Sequence, residues 1–118
     1  MRSALKVYVA GPYSKGIFDE NIARVVDAAE QLRAAGHVPF VPHTMTFLWA
    51  VRHQHPAEYW YRFDLEWLAV CDVLLRLPGE SRGTEREVAF CEERGIPVAY
   101  HIGDVFDLAA RRRALDRA

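Results

Sequence analysis

Short β-rich apolar runs alternate along the chain with segments whose apolar residues recur at helical spacing. The first run, Leu5 to Ala10, is stopped by Gly11-Pro12 and predicts a strand. From Phe18 to Leu32, Phe18, Ile22, Val25, Val26, Ala29 and Leu32 recur with the period of a helix, and Gly36 ends it. His37 to Pro42 predicts a second strand whose two prolines suit a sheet edge or a strand end better than a central ladder. Between His43 and Pro56 no clean period emerges, which predicts a long loop or a short irregular helix.

Pro56 opens a further helix with the stripe Trp60, Asp64, Trp67, Leu68 and Cys71. Val73 to Leu77 predicts the third strand, Pro78 to Gly83 a polar loop, and Thr84 to Arg94 a helix stopped by Gly95. Ile96 to Tyr100 predicts the fourth strand. Asp104 to Arg117 predicts a last helix, acidic at its start and arginine-rich at its end, in keeping with the helix dipole. This order calls for an α/β fold, a small doubly wound, flavodoxin- or Rossmann-like parallel sheet of four to five strands with helices on both faces. Ligands in such folds bind beyond the carboxyl ends of the strands, so the loops after the first and third strands are the places to look.

At 118 residues the chain has the length of one domain, expected to span 1–118. A hydrophobic share of 51% is enough to build a core and excludes a disordered tail. The net charge of -1 supplies no global field for nucleic acid or an acidic membrane, so neither is an expected partner. No apolar run reaches the roughly 18 residues of a membrane span, and the start lacks the layout of a signal peptide. With only two cysteines, Cys71 and Cys91, the expected setting is the cytoplasm with reduced thiols.

The two loops of interest are Gly11-Pro12-Tyr13-Ser14-Lys15-Gly16 and Gly79-Glu80-Ser81-Arg82-Gly83-Thr84. Small residues, hydroxyls and a following helix start can hold a phosphate, although ordinary Gly/Ser turns look the same. Neither loop carries a dinucleotide or P-loop fingerprint. Asp64 stands out because a carboxylate on an apolar stripe is costly unless it is paired or faces a cleft. Glu87 has two readings. Thr84-Glu85-Arg86-Glu87 fits a capping box, yet Glu87 also lies one turn into a helix that follows a candidate phosphate loop. The five histidines form no zinc spacing and no metal is expected; His43 and His101, each just after a strand, are candidates to line a cleft. Ser14 and Ser81 lack the elbow of a serine hydrolase.

Taken together, Val7 to Ser14, Asp64 to Leu68 followed by Cys71-Asp72-Val73, and Ser81-Arg82-Gly83 with Glu87 six residues after the serine make a recognisable set. The chain resembles the nucleoside 2-deoxyribosyltransferase superfamily, especially its nucleoside 5′-monophosphate N-glycosidase branch. The resemblance implies that Glu87 is the carboxylate beneath the anomeric carbon. It implies that Asp64 orients the substrate or protonates the base, and that Tyr8 positions the catalytic group. Ser81 and Gly83, with Arg82 between them, match phosphate-loop positions, and Gly11, Pro12, Tyr13, Ser14 and Lys15 supply the facing side. In one respect the chain departs from the pattern: Pro12 stands where the hydrolases carry a phosphate-binding serine.

The expected activity is hydrolysis of the N-glycosidic bond of a (deoxy)ribonucleoside 5′-monophosphate, with no cofactor. Base exchange through a glycosyl-Glu87 intermediate is the alternative, and a non-catalytic nucleotide-sensing module is a third. The expected partner is a small-molecule nucleotide or nucleoside, whose base Tyr13, Trp49 or Trp60 would stack against. The family completes its site with a residue from a neighbouring subunit, which implies a homo-oligomer, a dimer or larger.

Overall fold

The computed structural model describes residues 4–12 and 18–117. Its elements run β1 (Lys6–Ala10), α1 (Phe18–Ala34), β2 (Val38–Phe40), α2 (Pro42–Arg52), α3 (Ala57–Leu68), β3 (Val73–Arg76), α4 (Arg82–Arg94), β4 (Val98–Ala99) and α5 (Ile102–Arg117). The four strands form one parallel sheet in the order β2-β1-β3-β4, with the proline-bearing β2 at an edge. This is the α/β flavodoxin-like architecture that the element order predicts. The chain leaves β1 first to one side, for β2, and then to the other, for β3. The crevice beyond β1 and β3 is thus the switch point of the sheet.

Alternation along the central strands sorts the core into two layers. Val7 and Val9 of β1, with Val73 and Leu75 of β3, pack with Val25, Ala28 and Leu32 of α1 and Val105 and Ala109 of α5. Tyr8, Ala10 and Leu74 point the other way and pack with Leu68 of α3 and Cys91 of α4. Tyr8 is fully buried on the central strand, between the buried β3 and the partly exposed edge strand β2. The layer that carries Tyr8 is the one that carries Asp64 and Glu87.

Three expectations need correction. The segment after His43 is a regular helix, α2, begun by Pro42 at its first turn. Its inward residues His43, Thr46, Phe47 and Ala50 keep helical spacing, but two of them are polar, so hydrophobicity alone does not reveal the period. Helix α4 begins two residues earlier than predicted. Ser81 is its N-cap and accepts a hydrogen bond from the Thr84 backbone N–H at 3.1 Å, so the capping box at Thr84 does not form. In α1 the buried face is Asn21, Val25, Ala28 and Leu32, while Phe18 and Val26 are largely exposed. Gly95 closes α4 in the left-handed conformation, as predicted.

The loops after β1 and β3 meet at Gly79, which has a φ of 124° and faces Pro12. A Cβ there would lie 2.3 Å from Pro12 Cγ. Gly79→Ala is therefore expected to cost about 1–3 kcal/mol of folding stability in urea denaturation, from backbone strain and the collision together.

Candidate active site

A cleft of about 310 Å3 opens at the carboxyl ends of β1 and β3. Its floor is Ala10 and Gly11, one wall is the inward face of α2, a second is Trp60, Tyr61 and Asp64 of α3, and a third is Ser81, Gly83, Thr84 and Glu87 at the start of α4. Four elements distant in sequence converge there because β1 is central and the others cross over its end.

Glu87 occupies the inner face of α4 with Thr84 and Cys91, and only 9% of it is exposed. The Tyr8 hydroxyl, coming up from β1, donates a hydrogen bond to Glu87 Oε2. Burial pushes the Glu87 carboxyl up to about 7, the Tyr8 hydrogen bond opposes this, and the negative charge of Asp64 adds to it. Tyr8 itself is raised well above the usual phenol, first by burial and then by the charges of Glu87 and Asp64, so it stays protonated and can only donate to an ionised Glu87.

Asp64 faces the same cleft from α3. Burial raises its carboxyl to about 7. The Thr46 hydroxyl lies 3.4 Å from Asp64 Oδ2 but is also bonded to the Pro42 carbonyl at 3.0 Å, so it compensates only weakly. Oδ1 of Asp64 and Nε1 of Trp60, one turn apart on α3, are buried and have no hydrogen-bond partner among the described residues. Buried polar atoms of this kind are costly in a structural core and recur where a ligand or water completes the site.

The floor of the cleft is held from both sides. The His43 ring donates from Nε2 to the Pro12 carbonyl at 2.9 Å, and the Thr84 hydroxyl donates to the Gly11 carbonyl at 3.2 Å. Burial lowers the pKa of His43, which keeps its ring neutral near pH 7. At the start of α4, Ser81 uses an oxygen lone pair for the cap, which leaves its hydroxyl proton able to donate.

The structure thus brings Tyr8, Asp64, Glu87, Gly11, Ser81 and Gly83 to one place. Pro12 adjoins it through the His43 contact. Arg82 is exposed and outside the lining residues, as is His101. Tyr13, Ser14 and Lys15 lie outside the described residues. Trp49 packs against Trp60 and Phe63 instead of lining the cleft. Sequence reasoning missed Thr46, Phe47 and Tyr61, while Thr84 stood in the candidate phosphate loop. The signal for the α2 pair was the spacing of residues 43, 46, 47 and 50 on one helical face.

Residues 5–100 match a family described as a domain of unknown function, DUF4406. The chain belongs to the DUF4406 family. No curated protein matches it. Among solved structures, this DUF4406 chain is similar in fold to a 2-deoxyribosyltransferase from the psychrotolerant bacterium Bacillus psychrosaccharolyticus. The TM-score is 0.59 and the sequence identity 23%, over 79% of this chain and 69% of that chain. No helix among the described residues is long and apolar enough to cross a membrane.

The two raised carboxyls make stability depend on pH. Their folded values of about 7 exceed unfolded values of roughly 4, so between these the folded state holds protons that the unfolded chain has released. Their contribution is full below about pH 4 and is lost as pH rises to about 7. Asp64→Asn should flatten that decline in a denaturation series across pH; an unchanged slope would count against a buried Asp64.

Proposed function

We propose that this protein cleaves the N-glycosidic bond of a nucleoside 5′-monophosphate, releasing the free base and a sugar 5-phosphate. The observation that carries the reading is the pair of shielded carboxyls, Glu87 and Asp64, on one sugar-sized cleft, with Tyr8 bonded to only one of them. Breaking the bond requires negative charge beneath a developing oxocarbenium ion and a proton for the departing base. The Tyr8 hydrogen bond favours ionisation of Glu87, while among the described residues Asp64 has only the weak Thr46 contact, so the proposed productive state has Glu87 charged and Asp64 protonated.

In that state a Glu87 oxygen attacks C1′ of the sugar. The electron pair of the C1′–N bond passes to the base nitrogen, and Asp64 delivers a proton to the base. Water then attacks C1′ of the glycosyl-Glu87 ester and gives its proton to Asp64, which restores both groups. The low-polarity surroundings that raise both carboxyls also strengthen the attraction between Glu87 and the cationic transition state.

The monophosphate draws support from Ser81, Gly83 and Thr84, in the first turn of a 13-residue helix, at the cleft wall. A second reading, exchange of the base for another on an unphosphorylated deoxyribonucleoside, is favoured by a different observation. No lysine or arginine lines the cleft among the described residues, and Pro12 offers no hydroxyl.

Incubation with ribo- and deoxyribonucleotides and the corresponding nucleosides, followed by chromatography for free base, tests both readings. Added acceptor base separates exchange from hydrolysis; the absence of any released base would sink both. Glu87→Gln is expected to lower turnover at least a hundredfold, on the order of a lost nucleophile or acid–base group. Tyr8→Phe removes the bond that holds Glu87 down, so the acid limb of the kcat/KM profile should move to higher pH.

A further inference from the structure

Tyr61 is not accounted for by the acid pair. It precedes Asp64 by three residues on α3 and lines the cleft, and it also walls a smaller outer hollow shared with Arg86 and Phe90. The Arg86 guanidinium lies over its ring, 3.6 Å from the centroid, which is cation–π contact. That guanidinium also makes two parallel hydrogen bonds to Glu58 of α3, at 3.2 and 3.1 Å. Arg86 immediately precedes Glu87. One side chain therefore ties the helix bearing Glu87 to the helix bearing Asp64 and pins the aromatic ring between them.

Both members of the ion pair are about half exposed, at 45% and 52%, and such pairs add little to folding stability. What a two-pronged arginine–carboxylate contact does fix is orientation. Of the other aromatic side chains on the cleft, the Trp60 indole is engaged by Trp49, Phe63, Tyr59 and His55, and the Phe47 ring by Phe18. Tyr61 is instead covered on one face by a charge that holds it still.

We propose that Tyr61 is the platform on which the nucleobase stacks. Arg86, oriented by Glu58, is the positioning residue that holds this platform. The ligand chemistry recognised is a planar heteroaromatic ring taken by its π face, which is tolerant of base identity and needs no tyrosine hydroxyl. The inference rests on the glycosidic reading above and adds the base subsite to it.

Calorimetric titration of the full chain with adenine, cytosine, their nucleosides and their nucleoside 5′-monophosphates, and with ribose 5-phosphate as a base-free probe, tests the proposal. Tyr61→Ala and Arg86→Ala should weaken base-containing ligands about tenfold, the effect of losing one stacking contact, and leave ribose 5-phosphate unchanged. Tyr61→Phe should bind as wild type, and Arg86→Lys should recover only part of the loss, because it keeps the charge without the fork. Thermal unfolding of the arginine variants should stay close to wild type, which a merely structural role would not predict. If Tyr61→Ala binds bases as tightly as wild type while Glu87→Gln abolishes base release, the platform is wrong and the glycosidic reading stands. If wild type releases no base yet loses base binding on Tyr61→Ala, the platform stands without the reaction. If no base-containing ligand binds the wild type, both are overturned.

Discussion

The site is organised around the cost of holding carboxyl groups out of water. Glu87 is nine-tenths shielded at the edge of an apolar layer, and its hydrogen-bond donor is Tyr8, a phenol too deeply buried to ionise. A buried carboxyl must be protonated, hydrogen-bonded or matched by positive charge. Tyr8 meets part of that need. In the proposed reaction, the shielding that makes an ionised Glu87 unfavourable is what strengthens its attraction to a cationic transition state.

The fold makes this arrangement affordable. Because β1 is central and parallel to both neighbours, Tyr8 rests on strands whose ladders are satisfied, and its alternation with Val7 and Val9 directs it to the α3 and α4 layer. The loops that follow β1 and β3 are then braced against each other through Gly79 and Pro12, and against α2 and α4 through the Pro12 and Gly11 carbonyls. The floor beneath the cleft is thereby fixed by contacts that involve neither acid. The Glu58–Arg86 bridge adds a link at the outer side of the same two helices.

Asp64 and Glu87 differ in how they are supported, and the proposed division of their roles rests on that difference. Glu87 has a committed hydrogen-bond donor; among the described residues Asp64 has a distant hydroxyl and an oxygen without a partner. Two shielded carboxyls on one cleft cannot both be charged at little cost, and the negative charge of Asp64 pushes the raised carboxyl of Glu87 up further. The Tyr8 hydrogen bond works in the opposite direction, towards ionised Glu87.

The order of strands and helices, the edge position of the proline-bearing strand and the αL stop at Gly95 were legible along the chain, because periodicity and backbone preference are local properties. So was the oddity of Asp64, a carboxylate in an apolar stripe. Helix α2 was not, since its inward face serves a cleft and carries His43 and Thr46 where a core helix would carry leucine. Nor could local spacing choose between the two readings of Glu87. That choice was made by Ser81, which caps α4 and frees Glu87, and by Tyr8, which stands 79 positions away in the chain and reaches Glu87 only because β1 runs beneath α4. Residue type and period determine which elements form; which side chains share a cleft depends on crossover and strand order, and those are decided only when the whole chain packs.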